Sequence, residues 1–89
     1  MRVSLEGVEW MDDDLDFNPF PFGERVVGFA MRGERVVPVI DAKTLGKRRM
    51  YLHTGRSVVL VRYDAIERGK DGLRIREIEE EVLRDLGGV

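Results

Sequence analysis

Apolar and polar positions alternate with a period of two over most of the chain, which predicts a molecule built mainly of β-strands. From Val3 to Trp10, Val3, Leu5 and Gly7 fall on one face, with Ser4, Glu6 and Val8 on the other, the pattern of one strand. The segment from Asp12 to Gly23 mixes acids, two prolines and a glycine with Phe17, Phe20 and Phe22. It reads as an extended loop whose aromatic rings pack on the domain or on a partner. Two apolar runs then flank Arg32-Gly33, predicting a β-hairpin in which Gly33 takes the positive-φ turn position. Val36 to Ile40 is apolar at odd and even positions alike, so this strand is expected to be covered on both faces. Pro38 within it marks an edge or a bulge.

Asp41 to Gly46 has an acid at the start and a glycine at the end, which predicts one helical turn. A basic connection follows over 47–56, with a short strand around Met50 to Leu52, and Ser57 to Tyr63 alternates as a further buried strand. Turn residues fill 64–72. Leu73, Ile75, Ile78, Val82, Leu83 and Leu86 are then read as the apolar stripe of an amphipathic helix over about 74–86, ended by Gly87-Gly88.

Length and composition narrow the class. Eighty-nine residues, 43% hydrophobic and 36% charged, make one domain with one modest core and little room for an enclosed active site. The longest apolar run, Val36 to Ile40, is far short of the ~20 residues of a membrane span. The stretch Met1 to Glu6 has no apolar signal-peptide core, and the expectation is a cytoplasmic protein. There is no cysteine, which excludes disulfides, thiolate metal sites and cysteine nucleophiles. A net charge of −2 gives no general attraction to nucleic acid.

Candidate chemistry is sparse. Asp12, Asp13, Asp14 and Asp16 offer oxygen ligands for a hard cation, but their loop has neither the central glycine nor the closing glutamate of an EF-hand, and a solvated acidic loop is favoured. His53, the only histidine, reads as a surface loop residue. No serine or threonine sits in a nucleophile motif, and the glycines match no nucleotide-binding loop. No catalytic residue, metal or cofactor is therefore expected. Lys47, Arg48, Arg49 and Tyr51 could combine phosphate contacts with one stacking ring, which keeps a small nucleic-acid-binding barrel as the alternative function.

The segment from Val27 to Asp41, continuing to Leu45-Gly46, resembles the signature of the CheW-like family of chemotaxis adaptors, in which G-V-I-N-L-R-G runs into V-P-V-I-D-L and a short helix ending in L-G. Gly28, Arg32, Gly33, Val37, Pro38, Val39, Ile40, Asp41, Leu45 and Gly46 agree with it. Ala30-Met31 stand in place of the family's Asn-Leu, and its later G-L-L-V-D strand is absent. The resemblance implies a single SH3-like β-barrel of about five strands over 1–89, here with a C-terminal amphipathic helix. It also implies a non-catalytic adaptor in chemotaxis or two-component signalling that contacts a chemoreceptor signalling tip, a histidine kinase's regulatory domain or both. Phe29, Met31, Arg32, Gly33, Val37, Pro38 and Val39 would carry the protein contacts. Which of Phe29, Val37, Pro38 and Val39 form surface and which form core stays open, as does a role for Arg32 in ordering nearby acids. The family normally has two barrels, so a lone one is expected to pair as a homodimer, with Val36 to Ile40 and the terminal helix in the contact.

Overall fold

The computed structural model describes residues 2–70 and 72–77. All nine of their regular elements are strands: β1 (Arg2–Val3), β2 (Val8–Asp12), β3 (Asn18–Phe22), β4 (Val26–Arg32), β5 (Arg35–Asp41), β6 (Arg48–Thr54), β7 (Val58–Tyr63), β8 (Ala65–Gly69) and β9 (Gly72–Arg76). They form a six-stranded sheet in the order β2-β6-β7-β5-β4-β3 and a three-stranded sheet in the order β1-β9-β8. All neighbours are antiparallel except β5 and β7, whose register is Val39 to Val58, Ile40 to Val59 and Asp41 to Leu60.

The expected SH3-like barrel is therefore corrected to two sheets, and the large one does not close, because its edges β2 and β3 are not hydrogen-bonded to each other. It is nevertheless forced to curl. Residues 13–17 join those two edges, and six Cα steps reach about 20–22 Å, whereas five strand spacings in a flat sheet need about 24 Å. The linker crosses the concave face, where Leu15 and Phe17 pack on a core of Ala30, Val37, Val39, Tyr51, Val58 and Leu60. Phe17 meets Tyr51 edge-on with ring centroids 6.3 Å apart. It also lies over Gly28, where an added Cβ would come within 2.6 Å of the ring and collide with the Asn18 carbonyl.

The convex face is covered over one half only. Met50, Leu52 and Val61 form a second core with Leu73 and Ile75 of β9, flanked by Val3, Leu5, Val8, Met11, Val59 and Ile66. β6 and β7 are thus buried on both faces, while β5, β4 and β3 have the linker side covered and the other side open.

Other expectations change for local reasons. The strand over 3–10 is broken at Gly7, whose φ of +79° turns the chain, so that β1 joins the small sheet and β2 the large one. The aromatic loop is the edge strand β3. The helical turn over 41–46 is irregular chain. Asp41 Oδ1 accepts from Lys43 N–H at 2.7 Å, Lys43 takes φ +59°, and Ala42 N–H donates to the Leu60 carbonyl, so the segment stays tied to β7. The helix over about 74–86 is contradicted where it is described: Arg74 to Arg76 belong to β9, paired with β8 and β1, and the remaining positions lie outside the described residues. The hairpin stands as read, with Gly33 at φ +62° in the two-residue turn between Arg32 and Arg35.

Candidate protein-docking face

Alternation along β4 and β5 divides the residues of the adaptor-like signature. Ala30, Val37 and Val39 point into the concave core and are buried, so Val37 and Val39 are corrected from interface candidates to core. Phe29, Met31, Val36 and Pro38 occupy the opposite side of the hairpin, where Phe29 pairs with Pro38 and Met31 with Val36 across the strands. β3 extends this surface, and the rings of Phe20 and Phe29 are 6.0 Å apart. Phe20, Phe22, Met31 and Val36 are 60%, 67%, 62% and 61% exposed. Together they form an apolar surface on the half of the convex face that the small sheet leaves open.

Sequence reasoning picked out Phe29, Met31 and Pro38 correctly as a surface group, and flagged Phe20 and Phe22 as rings in need of a partner. It missed Val36 as a surface residue, because a run apolar at every position hides which side is open. The signal available was β3: two exposed phenylalanines alternate with two prolines beside the hairpin.

The turns at the two ends of β4 frame this face with charge. Glu24 and Arg25 are exposed beside Gly23 in the β3–β4 turn, and Glu34 and Arg35 are exposed in the β4–β5 turn. Gly33, exposed between them and the strand end, shapes the turn and offers no side chain for contact.

Arg32 points to the concave side. Its guanidinium donates to the carbonyl oxygen of Thr54 and, at 3.4 Å, to that of Ser57, and it sits 5.0 Å from the centre of the Trp10 ring. It orders backbone carbonyls and an aromatic ring, and the acid-ordering role is not the one it plays. Trp10 also stacks on His53, with centroids 4.6 Å apart and planes 15° from parallel. His53 is accordingly a buried residue of β6, which corrects its reading as a surface loop residue. Asp12 Oδ2 accepts from Trp10 Nε1 at 3.2 Å and lies 2.8 Å from His53 Nε2. That carboxylate stands off the imidazole's N–H direction, so the second approach is a close electrostatic contact without a directed hydrogen bond.

The nucleic-acid candidates do not converge. Lys47, Arg48 and Arg49 are exposed, but Tyr51 is buried against Phe17 in the concave core and presents no ring for a base to stack on. Among the described residues no three His, Asp or Glu side chains come together as a metal site, so the carboxylates of the 12–16 loop do not converge on one. No helix of the described residues is long and apolar enough to cross a membrane. Compared with protein-family models, with curated proteins and with solved structures, the chain matches none.

Proposed function

We propose that this protein is a non-catalytic interaction module that binds another protein through the open convex face of β3, β4 and β5. The observation that carries this reading is the exposure of Phe20, Phe22, Met31 and Val36 side by side on one sheet face. Apolar patches of this kind, rimmed by charge, mark contact surfaces more often than they mark idle surface. Aromatic and methionine side chains supply binding area, and mixed charges at the rim select the partner's orientation.

The partner class proposed is the one implied by the CheW-like signature: a histidine kinase's regulatory domain or a chemoreceptor signalling tip, reached in the cytoplasm. The signature coincides with the hairpin that builds the face, and its Val37 and Val39 hold from inside the surface that Phe29, Met31 and Pro38 present outside. The basic 47–49 loop is the weaker reading, since the ring that would complete it is in the core.

An isotope-edited NMR titration with a chemotaxis kinase's regulatory domain tests this. Saturable shifts are expected at Phe20, Phe29, Met31, Val36 and Pro38, with little change at Val58 or Val61. Absence of shifts at several hundred micromolar, or shifts confined to 47–49 on adding an oligonucleotide, would reject it.

A further inference from the structure

We infer that the resting occupant of this open face is a second copy of the same face, related by a two-fold axis that lies in the contact plane and runs across the strands. The inference rests on the docking reading above and names its first partner. It follows from how the side chains are distributed along the hairpin. Phe20 and Phe22 lie toward the end of the face bounded by the 23–25 turn, since Phe22 pairs with Val26. Met31 and Val36 lie toward the end bounded by the 33–34 turn, and the Phe29–Pro38 pair lies between.

A two-fold axis across the strands reverses their direction and keeps their order. It places Phe20 and Phe22 of one copy on the partner's Met31 and the partner's Val36, and brings the Phe29–Pro38 rows together on the axis. Large flat rings then meet a flexible thioether and a branched side chain, a better fit than either cluster against itself. The same rotation brings the Glu24-Arg25 turn over the partner's Glu34 and the partner's Arg35, so that Glu24 faces Arg35 and Arg25 faces Glu34, twice each. Every contact is repeated with the roles exchanged, as an isologous interface requires. An axis along the strands would instead set the Glu34-Arg35 turn on itself and lose this exchange.

The area is adequate for a modest dimer. Phe20 and Phe22, at 60% and 67% exposure, leave on the order of 250 Å² of ring surface, with Met31 and Val36 adding to it. That is an apolar centre for a face of roughly 800 Å² per subunit, the remainder coming from the two charged turns. Aligned packing of two such sheets, about 10 Å apart, restores to β3, β4 and β5 the cover that the small sheet gives to β6 and β7. Self-association also regulates the docking face, because a heterologous partner must displace the second copy.

Sedimentation velocity of the full chain over a wide concentration range, combined with charge exchange at the turns, tests the arrangement. A dimer is expected at high micromolar concentration. Arg25→Glu alone and Glu34→Arg alone should each weaken it by about tenfold, and the two together should restore it, because the exchange re-forms the cross-interface pairs. In samples mixing labelled and unlabelled chains, intermolecular NOEs are expected from the Phe20 and Phe22 rings to the Met31 methyl. The double substitution Met31→Glu with Val36→Lys should give a monomer with an unchanged strand signature in circular dichroism. A wild-type chain that stays monomeric at several hundred micromolar overturns the inference. So does an NOE from Met31 to residues 78–89 within one chain, which would assign the face to the chain's own end. If a monomer still shows kinase-domain shifts on the face, the docking reading survives alone. If a dimer persists through Met31→Glu with Val36→Lys, the face is not its interface.

Discussion

Thr44 shows how one side chain can stand in for a strand. β5 leaves the sheet after Asp41, so β7 loses its neighbour and the backbone groups of Arg62 face that side with no ladder to join. The Thr44 hydroxyl donates to the Arg62 carbonyl and accepts from the Arg62 N–H, both at 2.7 Å, and the residue is buried while doing so. Thr44→Val keeps the shape and removes both bonds, leaving a donor and an acceptor unmatched. The expected loss is about 1–3 kcal/mol in urea unfolding, while Thr44→Ser should retain most of the stability. If Val proves as stable as Thr, the hydroxyl is not bridging β7. Nothing in the spacing of Asp41 to Gly46 distinguishes this role from a helical turn. The segment is held by tertiary bonds to β7 and, through Leu45 N–H to Glu77 Oε2 at 2.9 Å, to the residue after β9.

At the scale of the element, the edge strand β3 carries an opposite pressure to that of its rings. All five residues are exposed, and one side of its backbone has no neighbouring strand. Pro19 and Pro21 each remove an N–H from that strand, which blunts pairing with another chain's edge. Replacing both by Val restores two donors and raises β-propensity. The double variant is expected to form larger, thioflavin-binding assemblies at concentrations where wild type gives at most a dimer. A variant that shows only the wild-type species would mean that the edge is protected by something else. The prolines were legible as breakers of helix, but not as guards of an edge, because that meaning depends on β4 being the only neighbour. The same dependence explains β9. Leu73 and Ile75 are buried and Arg74 and Arg76 exposed, a period of two that a helical reading of Leu73, Ile75 and Ile78 had absorbed. Its strand state is fixed by β1 and β8, and β8 itself was hidden among turn residues. The hairpin β4–β5 and strand β7 were legible because their signals are local: Gly33 at the turn, and apolar runs long enough to cross the core.

For the whole molecule, the open question that the topology answers is how an unclosed sheet keeps its curl. The 13–17 linker ties the two edges, and Arg32 spans the gap from the other side. β4 and β2 are four strand positions apart, yet the Arg32 guanidinium lies 5.0 Å from the Trp10 ring centre. Its donation to the Thr54 and Ser57 carbonyls anchors it at the β6–β7 turn, so the cation is held in place whether or not the indole is there. Charged hydrogen bonds contribute about 1.5–3 kcal/mol and a partly exposed cation–π contact about 0.5–1 kcal/mol. Arg32→Met keeps the stem's packing and removes both, so a loss of about 2–4 kcal/mol is expected in denaturant unfolding. Stability alone would not separate curl from local anchoring. Trp10 is the single tryptophan, and its emission reports on the contact directly. Arg32→Met should shift native-state emission to the red as the ring loses its cover, whereas Thr44→Val, equally far from the unfolded state but remote from Trp10, should leave emission unchanged. A red shift in the first variant only would mean that the sheet is held curled across its open side by one arginine. Unchanged emission in both would place the whole burden on the five-residue linker, and shortening that linker by one residue would then become the more damaging change.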